Sequence, residues 1–266
     1  MKVALCFFGQ PRHIENPYSW LSHKYWIIDK YKADVFVHSW ISGEEIDFNC
    51  ADQIKNCRCP VCMKKSKENK DAAELILKKY NPKKYTFEEP INFSLDESIR
   101  EFLREKQRNP TNEKQLVNGS FNYSINNENN HLSQLYSISQ SIRLLDEEYD
   151  WVILSRFDNY IYDFPSLYLL DKGLYLTSQY YSHFADVLIF GNQEYIRALD
   201  CFDKVPNLYQ HINNFTPEEF KRVAFQQVYK SDVKNINEYG YEVGTEKRIF
   251  IGVGIVRTDS LESLQI

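Results

Sequence analysis

A chain of 266 residues is long enough for one large α/β domain or two small ones. With 43% hydrophobic and 26% charged residues it is not intrinsically disordered, and no run of 18 or more apolar residues is present to form a transmembrane helix. A formal charge of −5 excludes a protein that grips nucleic acid through general basicity.

The opening stretch "MKVALCFFGQPR" has about seven apolar residues before Gly9, too few for the core of a signal peptide. It predicts a first strand ended by Gly9, and with it a cytoplasmic chain whose cysteines are reduced. The sequons at Asn92, Asn118, Asn122 and Asn214 then carry no weight. From Tyr18 to Tyr31 the apolar residues Trp20, Leu21, Tyr25, Trp26 and Ile28 recur at helical spacing. "ADVFVHSW" is a second buried strand. Strand, helix, strand in so short a span predicts a βαβ unit with parallel pairing.

Between about residues 41 and 70 the pattern breaks into a polar, cysteine-bearing insertion. "DAAELILKKY" predicts a short helix capped by Asp71, and "KYTFEEP" a third strand stopped by Pro90. A charged helix is expected over 94–108, and "NGSFNYSINNENN" reads as a polar loop. A helix over about 131–147 sets Leu135, Ile138, Ile142 and Leu145 on one stripe. Trp151–Leu154 begin another buried strand, followed by strands at "GLYLTS" and "DVLIFGN" and a helix near 193–203. "TPEEFKRVAFQQVYKS" predicts a helix with a Thr cap, and "KRIFIGVGIVR" a closing strand. With no repeat and no linker, the expectation is an α/β fold of one domain over 1–266. Its open, mostly parallel sheet is flanked by helices, with some antiparallel pairing late in the chain.

Open α/β sheets bind ligands beyond the carboxyl ends of their strands. The first strand delivers Gly9, Gln10 and Arg12 to that edge, and the second delivers His38 and Trp40. The strand at 151 delivers Arg156 and Asp158, two opposite charges flanking Phe157 where a core strand ends. Ionised groups are rarely left there unless they are paired or bind something. His183 and Asp186 precede the strand at 187–190, Asp186 opening the "DVLIFGN" stretch. Singly, Arg156 and Asp158 also read as a plain ion pair, and His38 as a core histidine. Together they suit an anionic ligand with a metal ion and a polar body.

"SRFDNYI" resembles the DxD motif of GT-A glycosyltransferases, with Arg156 in the place of the first aspartate. "CFFGQPR", "ADVFVHSW", "LKKYNPKKYTFEEP", "SQLYSISQSIRLLDEEYDWVILSRFDNYI" and "FADVLIFGN" follow in the order seen in a group of such proteins. That group is found in surface-polysaccharide gene clusters and large DNA viruses. The resemblance covers most of the chain except the cysteine insertion and the last fifty residues. It implies a GT-A-like sheet and an enzyme that moves a sugar from a nucleotide-diphosphate donor to a hydroxyl of a glycan or glycoprotein. It also implies Mn2+ or Mg2+, because a diphosphate leaving group develops negative charge that a hard cation neutralises. Asp158 would hold that ion, and the Arg156 fork would take over part of the neutralisation. Gly9 would let the backbone approach the nucleotide, and Gln134 and Ser137 would face the ribose or sugar. Asp186, with His183 behind it, is the candidate general base.

Cys50, Cys57, Cys59 and Cys62 are four cysteines within thirteen residues, with Lys55, Lys64, Lys65 and Lys67 to offset thiolate charge. In a reducing compartment this pattern suggests a structural Zn2+ site. Metal analysis of protein purified without added zinc is therefore expected to find about one equivalent. Four freely reactive native thiols would exclude the site. Cys6 and Cys201 read as core residues. A zinc-containing module that binds protein or nucleic acid without catalysis is the alternative, and it would keep its function when Asp158 is lost. A nucleotidyltransferase would want a Gly-rich basic loop near the amino terminus, where one glycine stands.

Overall fold

The computed structural model describes residues 1–42, 47–48, 66–67, 71–108, 123–177, 188–229, 233–236 and 252–255. Strand β1 (Val3–Phe8) is buried along its whole length. Val3, Leu5 and Phe7 enter one core layer, and Ala4, Cys6 and Phe8 enter the layer on the opposite face. A continuous apolar run is what a central strand covered on both faces requires. Helix α1 (Pro17–His23) starts with a proline in its first turn. Its N-cap Asn16 accepts a hydrogen bond from the Tyr18 N–H at 3.0 Å. It continues through a π-helical stretch, Lys24–Ile28, and a last turn, Asp29–Tyr31. Strand β2 (Asp34–Trp40) then pairs parallel to β1, completing the expected βαβ unit.

Within the insertion, β3 (Asp47–Phe48) and β4 (Ser66–Lys67) pair antiparallel. Cys50, Cys57, Cys59 and Cys62 lie outside the described residues. Helix α2 (Ala72–Tyr80) has Asp71 at its N-cap position, but that side chain makes no capping bond. Burial of Ala72, Ile76 and Tyr80 against the sheet holds this helix instead. Strand β5 (Lys84–Glu88) pairs parallel to β2, and α3 (Glu97–Arg108) follows.

Helix α4 (Ile125–Arg143) begins inside the stretch that reads as a polar loop, and it stops at Arg143 rather than near 147. Its start is fixed by Glu128, which is 2% exposed. That carboxylate accepts hydrogen bonds from the Leu95 N–H (2.6 Å), from Arg100 Nη2 (2.8 Å) and from the Tyr123 hydroxyl (2.6 Å). Burial alone would raise its pKa, but Arg100, Tyr123 and Leu95 together hold it below the usual carboxylate value. An asparagine-rich segment thus becomes helical around one buried anion.

Strand β6 (Trp151–Arg156) pairs parallel to β1, from Val3 opposite Trp151 to Phe8 opposite Arg156. Strand β7 (Asn159–Asp163), which periodicity does not announce, pairs antiparallel with β11 (Gly252–Ile255) in a separate two-stranded sheet. Strand β9 (Leu188–Gly191) runs antiparallel to both β6 and β8 (Leu174–Thr177), and β10 (Val233–Ile236) is parallel to β8. The helix expected near 193–203 is broken into α5 (Gln193–Arg197), a 3-10 turn at Phe202–Lys204 and α6 (Val205–Leu208). In α7 (Pro217–Val228) the Thr216 hydroxyl caps the Glu219 N–H at 3.3 Å, as the sequence predicts.

The result is a seven-stranded mixed sheet in the order β10-β8-β9-β6-β1-β2-β5, with helices packed on both faces. From β1 the chain winds outward through β2 and β5, then returns to place β6 on the other side of β1. The boundary between β1 and β6 is therefore a topological switch point. Its carboxyl end is the crevice where such sheets receive ligands. No helix among the described residues is long and apolar enough to cross a membrane.

Candidate functional site

Gly9 follows β1 directly at the switch point. Its φ of +88° lies in the region that favours glycine, and among the described residues a Cβ built there would meet nothing within 4 Å. Among those residues the outer side of this turn is open. Its inner side is pinned: the Gly9 carbonyl accepts from the Ser39 hydroxyl at 2.9 Å and the Trp40 N–H at 3.3 Å. Its N–H donates to Ser137 Oγ at 2.6 Å. Farther along the loop, Arg12 donates from Nε and Nη2 to Gln10 Oε1 at 3.0 and 2.8 Å. His13 has a φ of 53°, a left-handed conformation that is uncommon for a side chain with a Cβ and that sequence reasoning did not single out.

His38, fully buried at the end of β2, joins this loop to β5. Its Nδ1 lies 2.7 Å from Ser137 Oγ and its Nε2 lies 2.7 Å from Glu88 Oε2. Burial lowers the pKa of His38 despite the neighbouring Glu88, so the ring is neutral. Nε2–H then donates to the carboxylate, and Nδ1 accepts the Ser137 hydroxyl proton. Carboxylate, imidazole and hydroxyl stand at the distances of a nucleophile relay. Ser137, however, is fully buried and its oxygen already accepts the Gly9 N–H. The line is therefore a brace that sets the Gly9 turn. Trp40 packs edge-on to His38 and stacks on Tyr136 with ring centres 5.4 Å apart. Its buried Nε1 has no hydrogen-bond partner among the described residues. Ser137 and Gln134 lie in the middle of α4 rather than at its start, and Gln134 is half-buried one turn before Ser137.

On the other side of the switch point, Arg156 and Asp158 form a two-bond ion pair. Arg156 donates from Nε to Oδ1 at 2.9 Å and from Nη2 to Oδ2 at 2.5 Å. The Asp158 side chain is 3% exposed and that of Arg156 21%. The residue between them anchors the turn. Phe157 stacks on Phe7 with ring centres 4.8 Å apart, and its carbonyl accepts from the Ser19 hydroxyl. A planar guanidinium fixed in this way is pre-organised to meet phosphate oxygens. The divalent ion implied by the DxD resemblance requires several oxygen ligands. Both oxygens of Asp158 are bonded to the guanidinium, which already neutralises the carboxylate. No group of three or more His, Cys, Asp or Glu side chains suited to a metal occurs among the described residues. As they stand, these residues do not make a cation site.

His23, another residue that sequence reasoning did not single out, supports the same turn from α1. It is fully buried, with Nδ1 2.9 Å from the Ser19 carbonyl and Nε2 2.9 Å from Ser155 Oγ. Burial lowers its pKa from 6.5 to about 4, against the opposing pull of the Ser19 carbonyl and Asp158. A histidine whose folded pKa is depressed contributes stability above its unfolded pKa and loses it as the pH falls. Through His23 alone, stability is thus expected to drop by roughly 1 kcal/mol per pH unit below about 6.5, continuing toward 4, and the buried His38 adds a loss of the same sign. Urea unfolding at pH 7, 6 and 5 measures this above the carboxylate range, and His23→Gln should reduce the dependence.

His183 and Asp186 lie outside the described residues. The residues flanking that segment, Thr177 and Leu188, stand at the same edge as Arg156: Leu188 is opposite Ser155, and Thr177 Oγ1 donates to the Leu188 carbonyl at 2.9 Å. The structure therefore brings together Gly9, His38, Trp40 and Ser137 around one turn, with Arg156 and Asp158 across the β1–β6 boundary. Cys6 and Cys201 are buried thiols, with burial pushing Cys201 up to about 12. Compared with protein-family models and with curated proteins, the chain matches none.

Proposed function

We propose that the protein is a glycosyltransferase of GT-A type, taking a sugar from a nucleotide diphosphate to a hydroxyl acceptor. One observation carries this reading. The Gly9 turn and the Arg156–Asp158 pair follow the carboxyl ends of neighbouring strands at the switch point of an open, mostly parallel sheet, with Phe8 and Arg156 in register. The open space at Gly9 admits a nucleotide to the backbone, and the Gly9–Arg12 loop borders it. The Arg156 fork meets the diphosphate and stabilises the charge that develops on it as the sugar departs. Asp158 orients that fork. Asp186 takes the proton of the attacking hydroxyl, the step a general base supplies when the anomeric centre is inverted.

A thermal-shift screen of UDP-, GDP- and dTDP-sugars, with manganese and with a chelator, tests the reading. A ligand that binds only the folded state raises its apparent stability. One donor is expected to raise the melting temperature in both buffers. No shift with any donor in either buffer would defeat the proposal.

A further inference from the structure

Strand β7 leaves the candidate site with aromatic side chains outward. Ile161 is buried, while Tyr160 and Tyr162, at alternate positions, are half-buried and exposed. Tyr18, at the start of α1, meets Tyr160 edge-on with ring centres 5.9 Å apart, and Tyr160 meets Tyr162 at 5.9 Å. Tyr18 is 40% and Tyr162 58% exposed, and Leu21 extends the α1 side at 47%. Two elements far apart in sequence thus bring phenol rings to one row on the surface. Exposed Tyr18 and Tyr162, joined by the half-buried Tyr160, make this face a candidate binding surface.

The chemistry of the row selects its occupant. Each phenol offers an apolar face together with a hydroxyl. That combination matches a pyranose, which has C–H faces edged by hydroxyl groups. None of Tyr18, Leu21, Tyr160 and Tyr162 is charged. The row itself therefore carries no charge with which to attract an anionic lipid. It also begins two residues from Asp158, where a transferred sugar would leave its donor. We propose that Tyr18, Tyr160 and Tyr162 form a platform for a neutral acceptor glycan, an assignment that rests on the glycosyltransferase reading.

Calorimetric titration of the full chain with maltohexaose, cellohexaose and chitohexaose tests the platform. The wild type is compared with Tyr18→Ser/Tyr162→Ser, which leaves Tyr160 beside Asp158 untouched. One of these neutral hexasaccharides is expected to bind the wild type, and the double variant should bind it roughly ten-fold more weakly, the scale of two lost aromatic contacts. Tyr162→Phe, which keeps the ring, should retain most of the affinity. Failure of all three sugars to bind, or equal binding by the double variant, overturns the platform. So does tyrosine-dependent sedimentation with phosphatidylglycerol vesicles, or self-association that the double variant abolishes. Nucleotide-sugar thermal shifts on the same samples separate the two claims. A donor shift without glycan binding defeats the platform alone, and glycan binding without any donor shift defeats the transferase reading.

Discussion

Asp158→Asn is expected to weaken nucleotide-sugar binding by at least roughly ten-fold and to lower stability by about 2 kcal/mol. The asparagine keeps the shape and one oxygen acceptor but removes the charge that the Arg156 guanidinium faces. A fully buried ion pair costs about 3–5 kcal/mol when one partner is lost. Arg156, at 21% exposure, recovers part of that by turning to water. An exposed pair of the same spacing would be worth about 1 kcal/mol or less, so the burial of Asp158 sets the size of the effect. Arg156→Lys separates binding from stability. The ammonium keeps the positive charge but cannot span both carboxylate oxygens, so donor affinity should fall further than stability does. Urea unfolding and calorimetric titration of both variants check the pair. Wild-type donor affinity in both would mean that Arg156 and Asp158 hold only each other.

Asp186→Asn should leave donor binding unchanged and reduce turnover by roughly two to four orders of magnitude, the scale of a lost general base. Thr177 and Leu188, on either side of its segment, both stand at the edge that carries Arg156. Amide replaces carboxylate without changing size, so a loss confined to turnover reports proton transfer rather than packing. Donor hydrolysis and sugar transfer, followed by release of the nucleotide diphosphate, measure it. Unchanged turnover would make Asp186 a structural residue.

The strands and their carboxyl ends were legible because β1 and β6 are apolar runs ended by glycine or charge and β2 carries the apolar core Val35–Val37 before His38. Local pattern and topology there agree, so Gly9, His38 and Arg156 fall on one edge. What could not be read depends on partners distant in the chain. The first turns of α4 look like an asparagine-rich loop, and Arg100 and Leu95, about thirty residues earlier, join the nearby Tyr123 in making Glu128 a buried anchor. His38 reads as either a ligand or a core residue. The bonds that decide its setting reach Glu88, 50 positions away, and Ser137, 99 positions away. Arg156 and Asp158 are visible as a pair, but their two-bond geometry and the burial of the carboxylate belong to the folded turn, in which Phe157 stacks on Phe7. Strand β7 has too little apolar alternation to announce itself, and its partner is Gly252–Ile255, far along the chain.

The most direct test of the account is a calorimetric titration of wild-type protein and Arg156→Lys with the nucleotide sugar that gives the largest thermal shift, run with a chelator present. The account predicts saturable binding of the donor to the wild type without manganese, because the guanidinium carries the charge that meets the diphosphate. It also predicts roughly ten-fold weaker binding by Arg156→Lys. Donor binding that requires manganese and is indifferent to Arg156→Lys would contradict it.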